Sequence, residues 1–172
     1  MLRLFLLVAS LTQLLAFRAA AQMDVPADAA SLPAAAPADR PVSVAVANES
    51  DVKAALAALD HRIAPAVKQA RATLPQAKRR FLKGLPDGQG FYVTTRIADP
   101  DGRFEQVFMR VKQWQGSQIQ GFIASQFNVV KSFQQNQFVT FSESAVLDWT
   151  ISRPDGSEEG NYVGKLIDAD GQ

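Results

Sequence analysis

Asp148-Trp149 and, further along, Asn161-Tyr162 bring together a carboxylate, an amide and two aromatic rings, the kind of side chains from which polar ligand sites are built. In an extended strand Asp148 and Trp149 point to opposite faces, so a core position for Trp149 turns Asp148 toward a surface or cleft. There it either binds a ligand beside Asn161 and Tyr162, with Glu105 as a further acid, or caps backbone N–H groups of the following loop. Glu105, Glu143, Asp148, Glu158 and Glu159 also offer carboxylates for glycosidase-type hydrolysis, which works only where two of them face each other. His61 is the single histidine, so a Ser-His-Asp triad or a histidine metal cluster would have to be built around it alone. Its neighbours Asp60 and Arg62 mark it instead as a surface residue. Asp99-Pro100-Asp101-Gly102 and Asp168-Ala169-Asp170-Gly171 begin like calcium loops, but neither continues to the bidentate acid that closes one. Pro-Asp-Gly recurs at Pro86, Pro100 and Pro154, between apolar runs, and reads as turns. No residue is therefore assigned to catalysis, and no metal or cofactor is expected.

A helix followed by strands must position these groups. Ser50 is the expected N-cap, with Asp51 in the first turn, and Val52, Leu56, Leu59, Ile63, Val67, Ala70 and Leu74 recur at helical spacing. Pro65 removes the donor to His61, which predicts a kink or a split into two helices near Ala64; Pro75 ends or bends the run again. Beyond Gly84 the period becomes two. Strands are expected over Phe91–Ile97, Phe104–Trp114, through Ile119 and Ile123, near Phe138–Phe141, and over Val146–Ile151. The second of these is apolar on both faces and belongs in the middle of the sheet. The expected fold is α+β, with the N-terminal helix packed on an antiparallel sheet of about five strands.

The N-terminus bears on location. Met1 to Arg3 form a short basic start, Leu4–Phe17 is mostly apolar, and Ala19 and Ala21 stand in A-x-A spacing before Gln22, the pattern of a cleavable secretion signal over residues 1–21. The apolar run is shorter than the roughly 20 residues a spanning helix needs, so no transmembrane segment is expected in the mature form. Residues 22–49, rich in alanine and carrying Pro26, Pro33, Pro37 and Pro41, read as a flexible tether. Pro41–Val46 alternates weakly, as an edge strand would. Residues 50–172 form the single domain. Of the 18 basic residues the signal removes Arg3 and Arg18, leaving 16 against 17 acids, a balance that gives no global field toward nucleic acid. There is no cysteine, so stability must come from apolar burial rather than disulfides. The expected location is the periplasm of a Gram-negative cell, or otherwise the medium.

Charge and amides are unevenly spread. Arg62–Lys83 holds seven basic residues and no acid, whereas from Glu143 onward seven acids face Arg153 and Lys165. The basic helix either pairs with the protein's own acidic half and solvent, or meets anionic lipid or an acidic partner. Gln113, Gln115, Gln118 and Gln120 surround Trp114 and suggest either the wet side of a hairpin or an amide surface for glycan or peptide.

Ala66-Val67, Ala70-Arg71-x-Thr73-Leu74, Phe81, Phe104-Glu105 through Val111, Gly121-x-Ile123, Val146-Leu147-Asp148-Trp149 and Gly160-Asn161-Tyr162 occur in this order. In that succession residues 64–168 resemble the YegJ-like family of bacterial domains of unknown function. The resemblance implies no assigned activity. Family members often carry His and Trp where this chain has Gln106 and Phe108 or Met109, and Thr in place of Val163, so chemistry depending on those groups would be missing here. The expected function is an exported binding or accessory module that contacts a protein, peptide or envelope component without catalysis, through Asp148, Trp149, Asn161, Tyr162 and Glu105. A small envelope hydrolase using paired carboxylates is the alternative.

Overall fold

The structure, a computed structural model, describes residues 43–44 and 49–170. The expected signal at 1–21 and residues 22–42 and 45–48 of the expected tether lie outside the described residues. Two tether positions, Ser43–Val44, form a short strand β1 that pairs antiparallel with β3 at Phe104 and Glu105. Helix α1 then spans Glu49–Lys83, and is followed by β2 (Gly90–Ala98), β3 (Phe104–Gln115), β4 (Gln118–Ile123) and β5 (Phe138–Ser142). A 3-10 turn at Glu143–Ala145 leads into β6 (Asp148–Ser152), β7 (Glu158–Gly160) and helix α2 (Tyr162–Asp170). The fold is α+β. Every strand pairing is antiparallel, in the order β5-β4-β3-β2-β6-β7, and β3 lies inside the sheet as its two apolar faces require.

α1 corrects two expectations. It is one helix through both Pro65 and Pro75 rather than two, and Ser50 lies within it instead of capping it. A proline in a helix interior costs about 3 kcal/mol, through a lost hydrogen bond and a clash. His61 and Arg71, whose carbonyls lose those bonds, are exposed, as are both prolines, so the cost falls on the side open to solvent. On the other side Leu59, Ile63, Ala66, Ala70, Leu74 and Ala77 are all buried. Leu59, Ile63 and Leu74 each contribute about 1.5–3 kcal/mol, a gain of the same size as the cost of the two prolines.

Two clusters make the core. In the larger, Ala70, Leu74 and Ala77 pack on Phe91, Val93, Val107, Met109, Val111, Trp149 and Ile151 from alternate positions of three strands. A register shift between Val111 and Gln113 restarts the alternation of β3. Trp114 thereby joins the same cluster, while Gln113 and Gln115 face Gln120 and Gln118 across the hairpin. The smaller cluster joins Leu59, Ile63 and Ala66 to Phe104 and to Val163 of α2, and Tyr162 packs against both clusters. Each Pro-Asp-Gly is a turn as expected, with Gly88, Gly102 and Gly156 at φ values of 77°, 85° and 80°.

Candidate functional site

Four of the five expected site residues meet where β6 faces the start of α2. Trp149 points into the core, nearly parallel to Phe91 at 6.3 Å and edge-on to Tyr162 at 6.0 Å, and its indole N–H donates to the Thr73 hydroxyl at 2.9 Å. Asp148, one position earlier, turns the other way and is 0 % exposed. One of its oxygens accepts the Trp149 N–H at 2.7 Å and the other the Val163 N–H at 2.6 Å; the Tyr162 N–H also reaches the carboxylate. Burial pushes the Asp148 carboxyl up to about 6, against the downward pull of these donors and of Lys165. The carboxylate thus caps α2 from a distant strand, meeting the donors a helix N-terminus leaves unpaired.

The approach to α2 is made by Gly160 at φ 81° and Asn161 at φ 54°. Both are left-handed conformations, which glycine and asparagine tolerate best. A Cβ on Gly160 would lie 2.2 Å from the Trp149 carbonyl oxygen. Asn161 is buried, donates its backbone N–H to that same carbonyl at 2.8 Å and its amide to Glu158 at 2.8 Å. Of the two roles open to Asp148, the geometry displays the capping one, with both oxygens turned to backbone donors.

Glu105 stands apart from these four. It too is 0 % exposed, and its two oxygens accept the Asn128 and Val130 N–H groups at 2.9 and 3.0 Å, holding the loop between β4 and β5. Glu105 is paired with Ile97 and Asp148 with Thr94. Those partners are an odd number of positions apart on β2, so the two carboxylates project from opposite faces of the sheet. They do not form a pair across one cleft. Asp99 does for the same loop what Glu105 does, accepting the Lys131 and Ser132 N–H groups and pairing with Arg103 at 3.1 Å. The Ser132 hydroxyl, ahead of the backbone donors and Arg103, holds the Asp99 carboxyl down at about 2. Asp99 is absent from the expected site; its place before Pro-Asp-Gly marked it as a turn residue and hid its second partner.

Residues 60–169 match the family model described as "Uncharacterized protein conserved in bacteria (DUF2314)". The chain belongs to this family. No curated protein and no solved structure matches it.

The DUF2314 region takes in His61, which is exposed on α1. Three of the seven basic residues on the helix pair with the acidic half of the chain. Lys78 meets Glu143 at 2.6 Å, Arg80 meets Glu159, and Arg62 meets Asp170 at 3.6 Å. Glu143 also accepts the Trp114 indole N–H at 3.1 Å, so Trp114 is tied inward and not to the glutamines beside it in sequence. Gln113, Gln115, Gln118 and Gln120 line a hollow of only about 30 Å³.

Two further depressions flank α1. A hollow of about 80 Å³ between the helix and the Trp149–Tyr162 corner is lined by Thr73, Gln76, Arg80 and Glu159. A groove of about 530 Å³ runs along the preceding turns, with Ile63, Ala64, Val67 and Leu147 as its floor and Asp60, Lys68, Arg71 and Arg96 around it. Neither was legible from the sequence, because the groove joins helix positions to Arg96 of β2 and to the loop before β6. No helix among the described residues is long and apolar enough to cross a membrane.

Proposed function

We propose that this DUF2314 protein is an exported, non-catalytic binding module that docks on a protein, peptide or other envelope component, in the periplasm or otherwise in the medium. The order of its motifs further allies it with YegJ-like domains. The observation that carries the reading is the use made of the buried acids. Asp148, Glu105 and Asp99 each direct their oxygens at backbone N–H groups of the chain itself, as scaffold supports do. A hydrolase built on Glu105 and Asp148 is not favoured, since the two side chains leave the sheet from opposite faces. The surface that suits a partner best is the one along α1, with the larger groove at one end and the Trp149–Tyr162 corner at the other. The leading segment, with its basic start, apolar run and A-x-A, supports the export part.

The test is capture from an envelope fraction with the purified protein, followed by reconstitution with each recovered partner in pure form. A defined complex that is lost on Tyr162→Ala or Lys68→Glu, with native melting retained, supports the reading. Turnover of an envelope glycan or peptide by the pure protein refutes the non-catalytic part. A secreted form beginning at Met1 refutes the cleaved signal.

A further inference from the structure

We propose that the groove between α1 and the β2–β6 side of the sheet binds an acidic peptide segment in which carboxylate side chains alternate with aliphatic ones. The inference rests on the binding-module reading and names the ligand class. The basic helix provides the first argument. Arg62, Lys78 and Arg80 are matched by the protein's own acids, as described above, whereas Lys68 and Arg71, the helix cations at the groove, meet no acid among the described residues. Lys68 makes no hydrogen bond or ion pair among the described residues. Arg71 donates only to the Val146 and Ser144 carbonyls, both at 3.4 Å, long for hydrogen bonds and neutralising none of its charge. Arg96 spans the other wall: one terminal nitrogen meets Asp60 at 2.6 Å, the guanidinium lies 5.2 Å from the Phe104 ring centre, and the Nε–H is buried without a partner. Three cations thus surround a space whose acidic lining is Asp60 alone.

The floor provides the second argument. Ile63, Ala64, Val67 and Leu147 offer aliphatic contact and no hydrogen-bonding side chain, so a ligand that is all charge leaves half the surface unused. Lys68 and Arg71 are three apart on the helix and therefore neighbours on one side, across from Arg96 on β2. An extended strand that seats alternate aliphatic side chains on the floor turns the residues between them away from it, to the open side of the groove, where the long side chains of the exposed Lys68 and Arg71 meet their carboxylates. At about 530 Å³ the groove falls in the range that takes a small ligand or a short stretch of chain.

The experiment is titration of the purified protein, by fluorescence anisotropy at low salt, with a labelled, end-blocked Glu-Val-Glu-Leu-Glu peptide and its Gln-Val-Gln-Leu-Gln counterpart. The acidic peptide is expected to bind at least about tenfold more tightly, and Lys68→Glu to weaken it by a similar factor. Asp60→Asn, which removes the groove's acid, is expected to tighten it. Both positions are exposed on α1, and melting temperature checks that each variant is folded. Equal binding of the two peptides, indifference to Lys68→Glu, or binding to phosphatidylglycerol vesicles without binding to the peptide overturns the inference. A captured partner that depends on Tyr162 and ignores Lys68 overturns it too, while leaving the binding-module reading in place.

Discussion

Asp148 makes the stability of this domain run against the usual pH trend for a carboxylate. Its carboxyl is raised from an ordinary 3.8 to about 6 in the folded protein because burial disfavours the charge more than the backbone donors favour it. The folded state therefore holds its proton more tightly than the unfolded state. Below pH 4 both states are protonated and there is no penalty; as pH rises toward and through 6 the unfolded chain ionises first and gains. Two pH units at about 1.4 kcal/mol each give a loss of about 3 kcal/mol, complete above pH 6. Asp148→Asn carries no such slope, but it turns an amide NH2 toward a backbone N–H and leaves that donor unmet, which costs about 1–3 kcal/mol at every pH. The variant should thus be weaker than the natural protein by about 1–3 kcal/mol at pH 4, and level with it or up to about 2 kcal/mol more stable at pH 7.5. Urea unfolding followed by the fluorescence of Trp114 and Trp149 measures both. A deficit of the variant that is constant from pH 4 to 7.5, or that widens with pH, refutes the argument. Asp99 has the opposite sign. Its carboxyl is held at about 2, so its stabilisation is present above pH 4 and is lost as pH falls toward 2.

Gly160→Ala should destabilise by about 2 kcal/mol or more, since alanine is strained at this φ and its Cβ overlaps the Trp149 carbonyl; the thermal midpoint reports it. Glu105→Gln keeps one acceptor of two, and hydrogen exchange at Asn128 and Val130 should speed up at one amide while β2 and β3 stay protected. Trp149→Phe keeps most of the ring packing but loses the bond to Thr73, a cost of about 1 kcal/mol in urea. A double-mutant cycle across Lys78 and Glu143, each partly exposed, should give a coupling below about 1 kcal/mol that shrinks with salt.

Local signals carry well in this chain. The alternation in Phe91–Ile97 and Phe104–Val111, the three Pro-Asp-Gly turns and the stripe from Leu59 to Leu74 appear in the structure at the expected places, whereas Trp114, expected on the face opposite Val107, Met109 and Val111, joins their cluster through the register shift after Val111. Three things escaped them, each because a distant partner decides it. Tyr162–Asp170 contains Gly164 and two β-branched residues, and Asn161, which stands at its N-cap position, turns its amide to Glu158; the carboxylate on the first turn comes from Asp148, thirteen residues before Asn161 on another element. Glu105 and Asp99 were visible as acids, but their partners lie in the loop over 128–132. The unbroken α1 follows from the burial of one face, an effect local propensity at Pro65 does not register. That Asp148, Trp149, Asn161 and Tyr162 come together was thus legible, whereas the groove along α1 was not.

The cap on α2 also ties the end of the domain to its sheet. Every strand precedes α2 in the chain, so a growing polypeptide presents β6 before the N–H groups that Asp148 needs exist. Without Tyr162 and Val163 the Asp148 carboxylate keeps only the Trp149 N–H among its three backbone donors. Shortening the chain to end before Tyr162 would accordingly not trim a peripheral helix. It would leave β2 with an open flank, and the domain would behave as unfinished rather than as slightly smaller.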